Sequence, residues 1–375
     1  MTSARTARIG LGLAALAVIA AAILILATHN DGTPADAAGT PAGATGPTGP
    51  LPATHLTKLP HGTVANGTLP IAIRLSGAPA PTTPRPWLSP HVNGTWTTVH
   101  DYEVFIPAST LIPCQTYTLT IPADTVATGH SRLGVHRILT LPVACGSIRG
   151  LQVALSRLDY LPYHLHPDVG HVVPRGPESR LLAAEQAFDP PRGRLISEAH
   201  DAPPVNFGDG SDPATIGALE VFQADHNILA DGEQNSHTWE SLLAAETDNR
   251  RDPAPYTWVS VTESIPETLE VHHGNHVVFT TPVNTGVPGA ATAQGVFPIF
   301  ARYVSTTMTG TNVDGSHYSD PGVPWVNYFN GGDAVHGFPR GSYGYPQSNG
   351  CVELPIPAAA EVYPMLRIGD IVWVQ

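Results

Sequence analysis

Asp333-Ala334-Val335-His336-Gly337, then a short loop, then Gln347-Ser348-Asn349-Gly350-Cys351-Val352-Glu353-Leu354, is the stretch around which the rest of the chain is read. It sets a histidine and a cysteine fifteen residues apart, a pair able to supply base and nucleophile. Cysteine attacks as the thiolate, and an imidazole that accepts its proton lowers the cost of forming that anion near neutral pH. Gly350 lets the backbone turn sharply beside the sulfur, so that the amides of Gly350 and Cys351 can point at a developing oxyanion. These residues together read as an acyl-transfer site.

The same residues resemble the L,D-transpeptidases with a YkuD-type catalytic domain, whose signature is a His-Gly followed by Ser-His-Gly-Cys. Here they stand as His336-Gly337 and Ser348-Asn349-Gly350-Cys351. The likeness runs from Pro282-Val283-Asn284-Thr285-Gly286 and Thr292-Ala293-Gln294-Gly295 to Gly369-Asp370-Ile371-Val372-Trp373-Val374, over residues 255–375. Asn349 replaces the second histidine of the signature, and Glu353 stands where asparagine or arginine is more usual. The resemblance implies a mostly β domain in which His336 deprotonates Cys351, and the thiolate attacks a cell-wall stem peptide before its terminal D-alanine. It further implies that the Gly337 carbonyl orients the imidazole and that no cofactor is needed. An amine from a neighbouring stem would resolve the thioester into a 3→3 cross-link. Water would make the enzyme an L,D-carboxypeptidase. β-Lactams of the carbapenem class are the inhibitors it implies. Met308 to Gly322, rich in Gly, Ser, Thr and Asp, reads as a lid, and Met308, Tyr318, Trp325, Ser348 and Asn349 are the candidate contacts to the stem peptide.

Cysteine counting supports Cys351. The chain has three cysteines, and outside the cytoplasm Cys114 and Cys145 can close a disulfide worth about 3 kcal/mol in the chain-entropy model. Cys351 is then the odd thiol, a candidate nucleophile. The eighteen histidines form no metal pattern: His164-x-His166 and His272-His273 stand without a His-Glu-x-x-His or a cysteine pair at zinc spacing.

The chain is 375 residues long, 42% hydrophobic and only 13% charged, with 36 glycines and 38 prolines, which favours several domains built of short strands and many turns. A formal net charge of −13 argues against nucleic acid as a partner. At the N-terminus, two arginines precede the uncharged run Ile9 to Ala27, which as a helix spans ~28 Å, close to the hydrocarbon core. Residues 1–30 therefore read as a cytoplasmic tip and single-pass membrane anchor with everything after them outside the cell membrane. The alternative is a secreted chain cleaved near Ala37, at Ala35-Asp36-Ala37. Residues 31–58 are Ala, Gly, Thr and Pro without periodicity and read as a disordered tether.

Residues 59–146 show period-two alternation, Ile71, Ile73 and Leu75 and then Tyr117, Leu119 and Ile121, which predicts an immunoglobulin-like β-sandwich. Over residues 147–250 the period becomes helical: Ile148, Leu151, Leu155 and Leu158 behind Ser147, a second helix from Pro213 to His226, and a third carrying Trp239, Leu242 and Leu243. This segment resembles the small peptidoglycan-binding helical domain through Leu151-Gln152, Asp159-Tyr160, Phe222-Gln223, Asp231-Gly232 and Thr238-Trp239, interrupted by a Pro-rich insertion over 162–212. In the catalytic segment, strands are expected at Leu269 to Val271, Val277 to Val283, Gly295 to Val304, Trp325 to Phe329 and Ile371 to Gln375, with a helix near Pro357 to Leu366. A reading from a different class is a non-catalytic, membrane-tethered wall-binding scaffold.

Overall fold

The computed structural model describes residues 50–58, 70–108, 110–168, 170, 172–176, 179–198 and 201–375. The apolar run Ile9 to Ala27, the cleavage pattern and most of the tether lie outside these residues. Among the described residues no helix is long and apolar enough to cross a membrane. The described chain groups into two compact units, one of residues 50–58, 70–108 and 116–142 and one of residues 110–115 and 143–375.

The first unit holds β1 (Leu56–Lys58), β2 (Ile71–Leu75), β3 (Trp87–Ser89), β4 (Gly94–Val99), β5 (Tyr102–Pro107), β6 (Thr116–Ile121) and β7 (Arg137–Pro142). They form two antiparallel sheets, in the orders β1-β2-β5-β4 and β3-β6-β7. The alternation seen in the sequence is the alternation of burial: Ile71, Ile73 and Leu75 point inward while Ala72 and Arg74 do not, and β6 repeats the pattern. The end of the expected tether is already folded here. Ala53 bridges to Ser131, and β1 pairs with β2.

The second unit begins with α1 (Ile148–Arg157), whose N-cap Ser147 accepts a hydrogen bond from the Gly150 amide at 3.0 Å. The insertion, expected as a loop, is largely ordered. It folds into a hairpin of β8 (Tyr163–Pro167) and β9 (Gly193–Ser197) with α2 (Arg180–Phe188) between them. Asp212 caps α3 (Pro213–Asp225), which has proline in its first turn, and Asn235 caps α4 (Ser236–Asp248). Leu151, Leu155, Leu158, Leu219, Phe222, Trp239 and Leu242 form the helical core. Gln152 and Gln223, part of the peptidoglycan-binding resemblance, are fully buried. Gln152 donates to Thr215 and Asn206, and Gln223 to Asp231, Glu233 and Thr238, so both hold loops of the bundle rather than face solvent. Cys114 and Cys145 form a disulfide. Both belong to this second unit, and Cys114 packs against its helical core.

The remainder comprises β10 (Thr257–Thr262), β11 (Thr268–His273), β12 (His276–Pro282), β13 (Gly295–Pro298), β14 (Ala301–Thr311), β15 (His317–Asn330), β16 (Asp333–Gly337), β17 (Val352–Leu354), α5 (Ile356–Val362) and β18 (Ile371–Val374). One sheet runs β12-β11-β10-β18-β13, the other β14-β15-β16-β17. Val259, Val261, Leu269, Val271, Val335, Val352 and Leu354 share one buried cluster. Two of the expected elements change shape. The strand expected from Gly295 to Val304 is broken at Ile299 and Phe300 into β13 and β14. The expected lid over Met308 to Gly322 is the distal part of a long antiparallel hairpin, β14 on β15.

The helical and catalytic segments are joined by a backbone contact and a charge cluster. A Cβ on Gly217 of α3 would stand 2.2 Å from the Gly369 carbonyl oxygen, and one on Gly369, at φ +90°, would stand 2.3 Å from the Gly217 carbonyl oxygen. Beside this contact Arg367 grips Asp252 through two bonds of 3.0 and 3.1 Å and lies 3.6 Å from Asp225. Gly217→Ala is therefore expected to lower the unfolding free energy by about 1–3 kcal/mol, through overpacking against backbone that cannot yield. Denaturant titration of the variant checks this, and an unchanged midpoint would show that α3 can slide away freely.

Candidate active site

The parallel pairing of β16 with β17 places the two halves of the motif side by side: Val335 against Val352, His336 against Glu353, Gly337 against Leu354. Successive residues of a strand point to opposite faces. Val335, Val352 and Leu354 therefore enter the core, and His336 and Glu353 share the other face with Cys351, one residue before β17. The upstream resemblance segments support this loop, since Asn284 bridges to Glu353 and Gly286 to Ser348, and the Gly286 amide donates to the Thr292 hydroxyl at 2.9 Å. Gly350 has φ +114°, and a Cβ there would stand 2.5 Å from Oδ1 of Asp333, so the turn before the cysteine requires glycine.

His336 is 3% exposed, and its Nδ1 lies 3.1 Å from the Gly337 carbonyl oxygen. A carbonyl only accepts, so this bond assigns the proton to Nδ1 and leaves Nε2 as an acceptor. Burial holds the imidazole below its ordinary pKa of 6.5, with the neighbouring Glu353 and Asp320 working against that shift and Arg340 adding to it. Cys351 is half-buried, and its thiol donates to the Gly332 carbonyl at 3.7 Å. Burial pushes the thiol up to about 12, a shift to which Asp333 and Glu353 add and which the Ala334 amide opposes. Among the described residues no hydrogen bond joins the sulfur to His336. The resting pair is thus a neutral thiol and a neutral imidazole, and any thiolate must form as the proton leaves.

A pH profile follows from that state. The basic form of His336 prevails above its lowered pKa and is lost as pH falls through it, so electrophile addition at Cys351 is expected to lose rate only below pH 6.5. Rates of alkylation from pH 5 to 8, followed by intact mass, check this. An acid limb centred above pH 7 would mean that the imidazole is more easily protonated than its burial allows.

Both side chains face one cavity. Met308, Val323, Tyr318 and Phe338 form its apolar wall, and Asp320, Arg340, Asn349 and Glu353 its polar wall. Tyr318 lies across the hairpin over Gly310, where a Cβ would stand 2.5 Å from its hydroxyl. The hairpin tip reaches the motif itself, because Asn349 donates to the Asn312 side chain at 2.7 Å. Thus Asn349, at the place of the signature's second histidine, ties the hairpin to the loop that carries Cys351.

Of the candidate contacts, Met308, Tyr318 and Asn349 line the cavity and two do not. Trp325 packs into the buried cluster and against Tyr363, ring centroids 5.5 Å apart; its φ of 60° breaks the alternation that puts Val323 on the cavity wall. Ser348 is 2% exposed and serves the loop, donating to the Cys351 carbonyl at 2.5 Å and accepting from the Gly350 amide at 3.2 Å. That second bond engages the Gly350 N–H, one of the two amides expected to face an oxyanion, with the Ser348 hydroxyl. The residue that sequence reasoning missed is Arg340. It grips the buried Glu353 through two bonds of 2.7 and 2.8 Å and lies 4.8 Å above the Phe338 ring. The departure at Glu353 was the available signal: a carboxylate in a strand that borders the core needs a cation nearby. Among the described residues no group of three His, Cys, Asp or Glu side chains is arranged to hold a metal ion.

Residues 256–374 match the family model of the L,D-transpeptidase catalytic domain, YkuD. No curated protein matches the chain. Similar solved structures include the catalytic domain of an Enterococcus faecium L,D-transpeptidase acylated by ertapenem, 25% identical, covering 33% of this chain and 100% of that one at a TM-score of 0.29. L,D-transpeptidase 3 from Mycobacterium tuberculosis is 13% identical, covering 86% of this chain and 98% of that one, TM-score 0.29. An L,D-transpeptidase from Mycobacterium smegmatis is 14% identical, covering 87% of this chain and 100% of that one, TM-score 0.29.

Proposed function

We propose that the L,D-transpeptidase catalytic domain at residues 256–374 acylates itself on Cys351 with a cell-wall stem peptide and passes the acyl group to an amine of a neighbouring stem, forming a 3→3 cross-link. The observation that carries this reading is the facing of His336 and Cys351 into one cavity, with the imidazole proton held at Nδ1 by the Gly337 carbonyl. In the step we assign, the sulfur swings from Gly332 toward His336 and Nε2 takes its proton. The sulfur attacks the carbonyl that precedes the terminal D-alanine, and the same proton goes to the departing amine. The Cys351 amide is the remaining candidate to hold the oxyanion, given that the Gly350 amide is engaged. The thioester is resolved by an amine, or by water to give the L,D-carboxypeptidase outcome. The uncharged run Ile9 to Ala27 would hold these units on the outer side of the cell membrane, where stem peptides are. The β unit is assigned the role of a spacer.

The test is incubation of the full chain with a disaccharide tetrapeptide, and separately with a carbapenem, followed by mass spectrometry of products and intact protein. Cross-linked dimer, together with an adduct that Cys351→Ala lacks, is the expected result. Loss of D-alanine without dimer would make the protein a carboxypeptidase. Neither product nor adduct would leave the non-catalytic wall-binding scaffold as the better account.

A further inference from the structure

The guanidinium of Arg340 offers five N–H donors in a fixed plane. Its Nε and Nη2 bind the two oxygens of Glu353, and Nη2 also donates to the Gln347 carbonyl at 3.2 Å. Among the described residues Nη1 makes no hydrogen bond. The group is nonetheless held firmly, by the paired carboxylate on one edge and the Phe338 ring below, so little side-chain freedom remains to be lost on binding. It stands in the wall of the cavity that His336 and Cys351 share, where the other charged side chains, Asp320 and Glu353, are both acidic.

We propose that Arg340 is the carboxylate receptor of this cavity, its free Nη1 edge binding a carboxylate of the stem peptide next to the bond that is cut. The inference rests on the acyl-transfer reading and adds the group by which the donor is recognised. A guanidinium already paired with one carboxylate is able to take a second. Arg367 of this chain does so, holding Asp252 at 3.0 and 3.1 Å with Asp225 at 3.6 Å. Without such a cation a ligand carboxylate entering the cavity would meet two acids and be repelled. Glu353 acquires a role as well. It aims the guanidinium and leaves the outer edge open, which makes it a positioning residue for Arg340. Two carboxylates near the scissile bond have the required chemistry: the terminal carboxylate of the departing residue and, where the third residue is a diamino diacid, its side-chain carboxylate.

The experiment compares kcat/KM of the full chain for three tetrapeptide donors: one with all carboxylates free, one with the terminal carboxylate as carboxamide, and one with the third-residue side chain as carboxamide. One amidation is expected to cost the wild-type protein about 10- to 100-fold, the usual worth of a hydrogen bond to a charged partner, and so identifies which carboxylate is bound. In the double variant R340Q/E353Q, which buries no unpaired charge, that preference should shrink toward unity, and Arg340→Lys should retain part of it. Because the readout is a ratio between donors, a general loss of folded or active protein cancels. Equal rates with all three donors in the wild type, or an undiminished preference in R340Q/E353Q, would overturn the assignment of Arg340 alone. No turnover of any donor by the wild type would overturn the acyl-transfer reading and this inference with it.

Discussion

His336→Gln is expected to slow the acylation of Cys351 by about 10²- to 10⁴-fold, the usual contribution of a positioned general base. Glutamine keeps a polar side chain of comparable reach but cannot take a proton at neutral pH. The size of the effect follows from the thiol. Burial and two acids push Cys351 up to about 12, so at neutral pH the free thiolate is a very minor species. A site that relied on that fraction would be nearly inert. With imidazole to receive the proton as sulfur attacks, the full thiol population becomes competent. The measurement is the rate of carbapenem adduct formation by intact mass at constant pH, with Cys351→Ala as the zero. A His336→Gln rate within a few-fold of wild type would mean that the sulfur is activated by something else, with the Ala334 amide the first candidate.

The proximity of His336 and Cys351 was legible because their spacing is local. His336 and Cys351 stand at the ends of two strands joined by one loop, and Gly350 announces the turn that exposes the sulfur. The helices α1, α3 and α4 were legible for a similar reason, each carrying its apolar period and its cap within a short stretch. The hairpin β14–β15 was not. Met308 to Gly322 has loop composition, and only its pairing, Met308 with Asp320 and Gly310 with Tyr318, makes it a sheet. Cross-strand pairing supplies what propensity does not, which is why β propensity depends so strongly on context. Trp325 lies outside the cavity for a local reason that its residue type does not reveal: its backbone at φ 60° sends the ring to the core. The insertion over 162–212 reads as proline-rich loop, yet β8 and β9 pair across twenty-five intervening residues that include α2. Glu353 signals by itself that a cation lies near, but that the cation is Arg340 depends on how the loop between β16 and β17 folds back.

Glu353→Arg restores at this position a residue more usual in the family, and it is expected to destabilise this protein by about 3–5 kcal/mol, the cost of leaving a buried charge without its partner. Glu353 is 5% exposed and β17 is fixed on both sides, by β16 and by the Asn284 bridge, so a guanidinium there cannot swing into water without breaking backbone pairing. It would also stand against Arg340, replacing two charge-assisted hydrogen bonds with a repulsion between like charges. The swap Glu353→Arg with Arg340→Glu keeps one charge of each sign at the same two sites and should recover a substantial part of the loss. Thermal and denaturant unfolding of the two single variants and the swap form a double-mutant cycle whose coupling term isolates the pair from its surroundings. A Glu353→Arg variant as stable as wild type would show that the loop carrying Arg340 is free to move aside. In that case the ion pair would be a consequence of the fold at this site, with no part in fixing it.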